Sequence, residues 1–193
     1  MSPVRIGIII GSTRPGRVGD QVGRWVLERA AQRDDAEYEL VDLADFRLPH
    51  LDEAIPASAG RYAHDHTKAW AEKVDSFDGF VFVSPEYNHS TSGALKNAID
   101  FVYREWNNKA AGLVSYGAAG GLRAAEHLRL VLGEVQVADV RQQVAFSLTT
   151  DFENYSVLAP TGPQEAQLAT LLDQLVSWAG ALRAVREQAL AAA

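Results

Sequence analysis

The chain has 193 residues, of which 47% are apolar, and it contains no cysteine. This length suits one domain with one buried core, and the lack of cysteine excludes disulfides, thiolate nucleophiles and zinc-thiolate sites. The net charge of −7 disfavours nucleic-acid binding, and without a membrane-spanning run or a signal peptide the sequence predicts a cytoplasmic protein with neither a nucleic-acid nor a membrane partner.

Short apolar runs alternate with helical patterns along the chain. Strands are predicted over residues 4–10, 38–42, 79–84, 110–116 and 143–147, with helices between them and a last helix after Thr161. Residues 43–65 are predicted to form a long irregular loop. Because parallel strands need long crossovers, which are usually helical, this alternation predicts an α/β fold, a flavodoxin-like three-layer sandwich with a five-stranded parallel sheet. We expect one domain over residues 1–190 and a frayed C-terminus at residues 191–193.

The loop after the first predicted strand carries glycine, hydroxyl and arginine residues directly before a helix. Its sequence is Gly11-Ser12-Thr13-Arg14-Pro15-Gly16-Arg17. The hydroxyls of Ser12 and Thr13 offer hydrogen-bond donors. Arg14 and Arg17 add positive charge to the positive end of the helix, so the loop suits an anion. The Walker and dinucleotide patterns are both absent, which favours a terminal phosphate over a pyrophosphate. The alternative is a glycine-rich connection with two solvated arginines.

The stretch after the third predicted strand is the most informative part of the chain. Pro85-Glu86-Tyr87-Asn88 follows the apolar run at residues 80–83 and leads into a helix that Thr91 or Ser92 can cap. A rigid proline backbone, an aromatic ring and an amide side chain suit a planar polar ligand. In an open parallel sheet, ligands bind beyond the carboxyl ends of the strands, where this loop lies. The alternative is an ordinary turn.

A glycine-rich loop follows the fourth predicted strand. Ser115 and Tyr116 end that strand, and Gly117-Ala118-Ala119-Gly120-Gly121 leads into the next helix. Such small residues let a flat ligand approach the backbone closely, although a plain turn explains this loop alone equally well. Because all three loops follow parallel strands, they lie at one edge of the sheet. A phosphate at the first loop and a flat ring between the other two describe a mononucleotide.

Three motifs in these loops occur together in the chain. They are Gly11-Ser12-Thr13-Arg14, Pro85-Glu86-Tyr87-Asn88 with Gly93-x-Leu95-Lys96-Asn97-Ala98-Ile99-Asp100, and Ser115-x-Gly117-x-x-Gly120-Gly121. This set resembles the NADPH-dependent FMN reductase family of flavodoxin-like flavoproteins, and the resemblance covers nearly the whole chain. It implies FMN as the cofactor and NADPH, or NADH, as the co-substrate.

The resemblance also implies a role for each motif. In the first loop, the FMN phosphate would be held by Ser12, Thr13 and Arg14. The isoalloxazine and ribityl chain would be contacted by Pro85, Glu86, Tyr87 and Asn88, and the ring would be lined by Ser115, Gly117, Gly120 and Gly121. Arg17 stands where many members carry serine, so we expect it to bind either the FMN phosphate or the 2′-phosphate of NADPH.

The resemblance implies that the flavin carries the chemistry. Flavin N5 would accept the hydride, so we expect no catalytic side chain and no metal ion, and the electrons would pass to free flavin or another small acceptor. One alternative is a quinone, azo, nitro or chromate reductase that retains its FMN. Another is a flavodoxin-type electron carrier, which would need more aromatic cover than Tyr87 provides. The resemblance further implies a homodimer or homotetramer, which Phe101, Tyr103 and Trp106 would support if they are exposed rather than part of the core.

Overall fold

A computed structural model describes residues 2–191 of the chain, apart from the side chain of residue 190. Within this range one parallel sheet contains the strands β1 (Val4–Ile10), β2 (Ala36–Asp42), β3 (Gly79–Pro85), β4 (Lys109–Gly117) and β5 (Val137–Ser147). Their order across the sheet is β2-β1-β3-β4-β5, and every neighbouring pair is parallel. The predicted flavodoxin-like sheet is confirmed. Of the predicted frayed end, Ala191 is helical, and residues 192 and 193 lie outside the described residues.

Helices cover both faces of the sheet. They are α1 (Gly19–Ala30), α2 (Leu43–Phe46), α3 (Asp65–Asp75), α4 (Gly93–Asp100), α5 (Leu122–Glu134) and α6 (Gln164–Ala191). Helices α1 and α6 pack on one face, whereas α3, α4 and α5 pack on the other. Phe82 of β3 therefore faces α3 to α5 while Val83 faces α1 and α6, which explains why the strand is an uninterrupted apolar run. No helix within residues 2–191 has both the length and the apolar character that crossing a membrane requires.

The observed strands β2, β3 and β4 differ from the sequence prediction by one or two residues at their ends, and two larger differences occur elsewhere. The segment predicted as one irregular loop over residues 43–65 contains the short helix α2, which Asp42 caps by accepting a backbone hydrogen bond at 2.9 Å. Strand β5 begins at Val137, earlier than predicted. Its first half mixes buried and exposed side chains, and its register with β4 shifts, so this half shows no regular apolar pattern.

A hairpin that the sequence pattern did not reveal follows β5. It consists of β6 (Phe152–Glu153) and β7 (Val157–Leu158), which pair in antiparallel orientation. Each strand has two residues, which is too short for a hydrophobic period to be recognised. The side chain of Gln21 in α1 hydrogen bonds to the hairpin backbone, so the hairpin lies beside the start of α1.

The three aromatic residues after α4 do not form the expected exposed surface. Phe101 and Trp106 are fully buried in the core under α3 to α5, and the Trp106 indole donates a hydrogen bond to Ile99 O at 3.1 Å. Tyr103 is partly buried against the same core, and its hydroxyl donates to Glu134 O at 3.1 Å. Phe101 and Trp106 are therefore core residues, which was the alternative to an exposed surface for subunit contact. They are buried because the chain folds back over the core between α4 and β4.

Candidate functional site

Three loops meet at the carboxyl edge of the sheet. Each loop is named after the strand that it follows. The first loop is residues 11–18 after β1, the third loop is residues 86–92 after β3, and the fourth loop is residues 117–121, which begins with the last residue of β4. Between them lies a cavity of about 140 Å³, which we call the loop cavity. Its lining residues are Arg14, Gly16, Val18, Pro85, Glu86, Tyr87, Tyr116, Gly117, Leu148, Tyr155 and Ser156. The structure thus brings together Arg14, Pro85, Glu86, Tyr87 and Gly117 from the predicted set.

Hydroxyl groups and one guanidinium meet at the first-loop end of the loop cavity. Ser12 is fully buried, and its hydroxyl lies 2.9 Å from the Tyr87 hydroxyl, with either group able to donate. The Arg14 Nε donates to the same Tyr87 hydroxyl at 3.3 Å. Tyr87 therefore reaches from the third loop to the predicted phosphate ligands of the first loop, and its hydroxyl joins that group.

A buried hydroxyl without a partner points to an anion at the same place. Tyr116 is 5% exposed, and within residues 2–191 its hydroxyl has no hydrogen-bond partner. A Cβ atom on Gly19, the first residue of α1, would lie 2.5 Å from this hydroxyl. No side chain of the described residues caps α1 at Val18. A phosphate oxygen here would accept from the Tyr116 hydroxyl and from the free N–H groups that begin the helix.

The Tyr116 hydroxyl stays protonated at neutral pH. Burial raises the pKa of Tyr116 above its ordinary value, although the neighbouring Ser12 hydroxyl and the charges of Arg17 and Arg14 act in the opposite direction. An unpaired buried donor costs about 1–3 kcal/mol, which a bound acceptor would recover. This end of the loop cavity is therefore suited to a phosphate monoester.

Arg17 does not line the loop cavity. Its guanidinium forms an ion pair with Asp42 at the end of β2, and Nη1 donates to Ser12 O at 2.9 Å. Asp42 also caps α2, so the arginine connects the first loop to a second element. The arrangement makes Arg17 a brace for the backbone that carries Ser12.

Thr13 does not line the loop cavity. It lines a separate cavity of about 300 Å³ between α2 and α4. The other lining residues of that cavity are Leu43, Ala44, Arg47, Leu48, Ala94, Asn97 and Ala98. Thr13 and Arg14, which sequence reasoning had grouped together, therefore border different cavities.

Glu86 connects the third loop to α5. Its side chain is 5% exposed and forms an ion pair with Arg123, and its carboxylate also accepts from Arg123 N at 3.1 Å. Burial alone would raise the pKa of Glu86, but the hydrogen bonds and charge of Arg123 hold it below its usual value. The carboxylate is ionised at neutral pH and fixes the position of the third loop.

Asn88 lies in a tight turn at the rim of the site. Tyr87 N donates to Ser90 O at 2.9 Å, and Ser90 N donates back to Tyr87 O at 3.2 Å. Between them, Asn88 and His89 adopt left-handed backbone angles, with φ values of 50° and 76°. Both side chains are exposed. Asn88 is therefore exposed beside Tyr87, but it does not line the loop cavity.

The glycines of the fourth loop serve mainly the loop itself. The Ser115 hydroxyl donates to Gly120 O at 2.7 Å and closes the turn. Gly120 and Gly121 both have a φ of 71°, and a Cβ on Gly121 would lie 2.7 Å from Tyr116 N. Gly117 is the one glycine of this set in the wall of the loop cavity, where a Cβ would lie 3.2 Å from the Glu86 Cβ. Close approach of the third and fourth loops thus requires Gly117.

Besides Gly16 and Val18 of the first loop, four further residues in the wall of the loop cavity were missed by sequence reasoning. They are Tyr116, Leu148, Tyr155 and Ser156. Tyr116 stands inside a motif that was read only for its small residues. The other three follow β5, in the segment that contains the unpredicted hairpin. The aromatic and apolar residues of that segment, between Ser147 and Thr161, were the available signal.

Comparisons with known proteins find similar sequences and a shared fold. A family model described as NADPH-dependent FMN reductase matches residues 4–151. The NAD(P)H-dependent FMN reductase ntnL of Nectria sp is 38% identical over 157 residues, covering 76% of this chain and 78% of that protein. The quinone reductase of Escherichia coli (strain K12) is 34% identical over 139 residues, covering 67% of this chain and 69% of that protein. The fold is shared with the structure of FerB, a flavoenzyme NAD(P)H:(acceptor) oxidoreductase from Paracoccus denitrificans. The two structures superpose with a TM-score of 0.70 at 20% identity, and the match covers 92% of this chain and 97% of the FerB chain.

Proposed function

The chain belongs to the NADPH-dependent FMN reductase family, and from this premise we propose that its loop cavity binds FMN with the phosphate against the first loop. As a member of that family the protein is an NAD(P)H-dependent oxidoreductase that uses FMN. Bound FMN supplies the redox chemistry by taking up hydride from NAD(P)H and passing electrons to an acceptor. The residues of the chain have to bind the flavin, orient it and keep water away from it.

The unpartnered Tyr116 hydroxyl is the observation that carries this proposal. It is buried beside the start of α1 and close to Ser12, where a phosphate needs donors. Arg14 adds a positive charge and Tyr87 a further hydroxyl. Such charge-assisted hydrogen bonds favour an anion over a neutral group. The site should therefore discriminate FMN from riboflavin by the phosphate alone.

The remaining predicted residues enter the proposal through the loops that they form. We propose flavin contacts for Pro85, Glu86 and Asn88 beside the third loop and for Ser115, Gly117, Gly120 and Gly121 beside the fourth. Thr13 and Arg17 belong to the first loop but do not line the loop cavity, so we propose that they act through the backbone of that loop. For Arg17 and Glu86 the ion pairs support an indirect role, because each fixes the backbone of its loop. Gly117 supports a direct contact, because it lines the loop cavity.

We propose free flavin or a quinone as the electron acceptor. The family relatives carry both kinds of name, NAD(P)H-dependent FMN reductase and quinone reductase. A flavodoxin-type carrier is disfavoured by family membership. The argument from scarce aromatic cover does not hold, because Tyr116 and Tyr155 line the loop cavity beside Tyr87.

A binding and activity experiment tests the proposal. Calorimetry compares FMN, riboflavin and FAD, and the FMN-loaded protein is then assayed for NADPH and NADH oxidation with oxygen and a benzoquinone. We expect FMN to bind most tightly, and Arg14→Ala to weaken FMN while leaving riboflavin unchanged. Arg141→Ala, at an exposed arginine of β5, is the matched control. Riboflavin binding as tightly as FMN would overturn the phosphate assignment, and a loaded protein that oxidises neither nucleotide would favour the carrier.

We further propose that the protein works in the cytoplasm as a homodimer or homotetramer. The buried Phe101 and Trp106 no longer support this assembly. It rests on the family resemblance and on the exposed Leu122 and Leu130 of α5, which are 46% and 78% exposed. Apolar side chains of this size on one helix suit a subunit contact. Light scattering at micromolar concentration should give at least a dimer, and Leu130→Asp should shift it toward the monomer.

A further inference from the structure

The hairpin of β6 and β7, residues 152–158, begins directly beyond the part of the chain that the family model matches. It is tied to α1 by one side chain, because Gln21 Nε2 donates to Ser156 O at 2.7 Å and Gln21 Oε1 accepts from Leu158 N at 3.0 Å. Two backbone groups on the tip and on β7 are thus held by one glutamine. The hairpin therefore has a defined position next to the loop cavity.

The base of the hairpin is fixed as well. The Asp151 carboxylate accepts from Ser147 N at 2.7 Å and from Gln164 Nε2 at 2.9 Å, and Ala159 N donates to Asp151 O at 2.8 Å. Asp151 and Gln164 are both buried. These bonds connect the hairpin to the end of β5 and to the start of α6. Its tip is consequently presented by a rigid base.

The tip has a backbone conformation that does not suit its sequence. Asn154 and Tyr155 both lie in the left-handed region, with φ values of 50° and 57°, and Ser156 N donates to Glu153 O at 3.0 Å. Because Glu153 pairs with Val157, the residues between them form the loop of the hairpin, and its two left-handed positions favour asparagine and glycine over residues with larger side chains. Tyrosine in the glycine position costs about 1–2 kcal/mol. Such strain at the edge of a cavity indicates that the side chain has a use.

The strained residue presents its ring at the mouth of the loop cavity. Tyr155 is 67% exposed, and it lines the cavity together with Arg14, Glu86 and Tyr87. Tyr116, at the first-loop end, is buried, whereas Tyr155 keeps most of its surface open to solvent. The ring is therefore free to pack against a molecule that enters the cavity from outside.

We propose that Tyr155 is a specificity-determining residue that packs its ring on the planar ring of the second reactant, either the nicotinamide of the co-substrate or a quinone-type acceptor. Flat aromatic systems gain from offset or edge-to-face contact with such a ring. The proposal rests on the proposed function, because a second reactant is needed only if the loop cavity already holds FMN. It assigns a role to a segment outside the match to the family model.

Three variants separate this role from a structural one. Tyr155→Gly removes the ring and creates the asparagine-glycine pair that the turn favours, so the hairpin should persist and the Tm should not fall. Tyr155→Phe retains the ring. Gln136→Gly makes the same backbone change at an exposed left-handed residue, with a φ of 57°, at the opposite edge of the sheet.

Each variant is titrated by calorimetry with FMN, and the loaded protein is titrated with NADP⁺ and with a benzoquinone. Tyr155→Gly should weaken one or both second reactants by about tenfold, while Tyr155→Phe and Gln136→Gly bind as the wild type. If only the affinity for NADP⁺ falls, the ring that packs on Tyr155 is the nicotinamide. If only the affinity for the quinone falls, that ring is the acceptor.

Two results would overturn the role of Tyr155. Unchanged affinity of Tyr155→Gly for both second reactants would remove its ring from the site. Weaker FMN binding by the same variant would make the ring a cofactor contact instead. Failure of the proposed function is distinguishable, because the wild type would then not bind FMN in the first titration.

Discussion

Tyrosine hydroxyls add donors to a phosphate site that the sequence predicted from serine, threonine and arginine. Tyr87 reaches Ser12 and Arg14 from the third loop, and Tyr116 is buried beside the start of α1 without a partner. Neither contact follows from chain order, because each joins residues far apart in sequence. The identity of the loops could be predicted, whereas the direction of each side chain could not.

Tyr116→Phe should have opposite effects on binding and on stability. The variant removes a donor that a phosphate would use, so FMN affinity should fall by about 1–2 kcal/mol while riboflavin affinity stays unchanged. It also removes an unsatisfied buried hydroxyl, so the free protein should melt at the same or a higher temperature. Calorimetry and thermal unfolding of the free protein measure the two effects. Equal FMN affinity in variant and wild type would remove Tyr116 from the site.

Arg17→Ala should weaken FMN and slow NADPH and NADH oxidation by the same factor. The guanidinium pairs with Asp42 and holds Ser12 O, so its loss loosens the first loop instead of removing a nucleotide contact. Steady-state kinetics with both nucleotides, together with FMN titration, test this result. A higher KM for NADPH alone would instead assign Arg17 to the 2′-phosphate. Asp42→Asn is the companion variant, because it removes the negative charge that pairs with Arg17 and should therefore have the same effect.

At the scale of elements, the amino edge of the sheet contains a lysine that serves a helix end. Lys109 at the start of β4 is 2% exposed, and its Nζ donates to Val74 O at 2.8 Å and Asp75 O at 3.1 Å. Both carbonyls belong to the last turn of α3. Burial lowers the pKa of Lys109 from 10.5 to about 8. The charged lysine therefore carries a desolvation cost in the folded protein at neutral pH.

This pKa predicts a stability that rises with pH. Between pH 8 and 10.5 the folded state gives up the Lys109 proton while the unfolded state keeps it, so the unfolded state binds more protons and folding is favoured as pH rises. Relative to Lys109→Met, the wild type should gain about 2 kcal/mol of unfolding free energy between pH 7 and 9.5. Urea unfolding of both proteins at both pH values measures the difference. Parallel pH profiles would contradict the lowered pKa.

Element prediction succeeded where the periodic pattern was long and failed where it was short. The apolar runs of β1, β3 and β4 are buried on both faces and are unmistakable in sequence. The hairpin of β6 and β7 has no such run, and its turn is formed by Asn154 and Tyr155 without a glycine. The sequence left open whether Phe101 and Trp106 are exposed or buried, because burial in an irregular segment depends on how the chain folds back, which local sequence does not encode.

At the scale of the whole molecule, the loop cavity and the ion cluster that holds α6 lie at opposite edges of the sheet. The loop cavity lies at the carboxyl edge, and an ion cluster lies at the amino edge around Asp78, just before β3. Its carboxylate accepts from Arg5 N at 2.9 Å and from Arg183 Nε at 2.9 Å, and it pairs with Arg186. The cluster attaches α6 to β1, although the whole of α6 lies beyond the family match at residues 4–151.

Asp78→Ala should destabilise the protein without changing FMN affinity. The change leaves two arginines and a backbone N–H without their carboxylate, and loss of one partner of a largely buried ion pair costs about 3 kcal/mol. For a chain of this size the Tm should fall by about 6–12 °C. Calorimetric melting measures the shift, and FMN titration at low temperature checks the site. Asp34→Ala, at an exposed aspartate, should leave both values unchanged.

The overall architecture was predictable because alternation of strands and helices constrains a parallel sheet strongly. Sheet order and the meeting of three loops at one edge followed from that alternation, as Arg14, Tyr87 and Gly117 around one cavity illustrate. The position of Thr13 at a different cavity from Arg14 could not be predicted, because it depends on which way one loop backbone turns. The residues that the last quarter of the chain contributes to the wall of the loop cavity could not be predicted either, because they reach it by packing across the edge of the sheet.

The hairpin closes on itself through the pairing of β6 with β7, and it leaves the five-stranded sheet in register. Its contacts with Gln21 and Asp151 involve backbone groups of the hairpin or the residues at its base rather than the side chains at its tip. Replacement of the tip residues should therefore leave the sheet and the proposed FMN site in place and change only which molecules enter the cavity. Grafting the tip of a relative's hairpin onto this chain would be a direct route to a changed reactant preference.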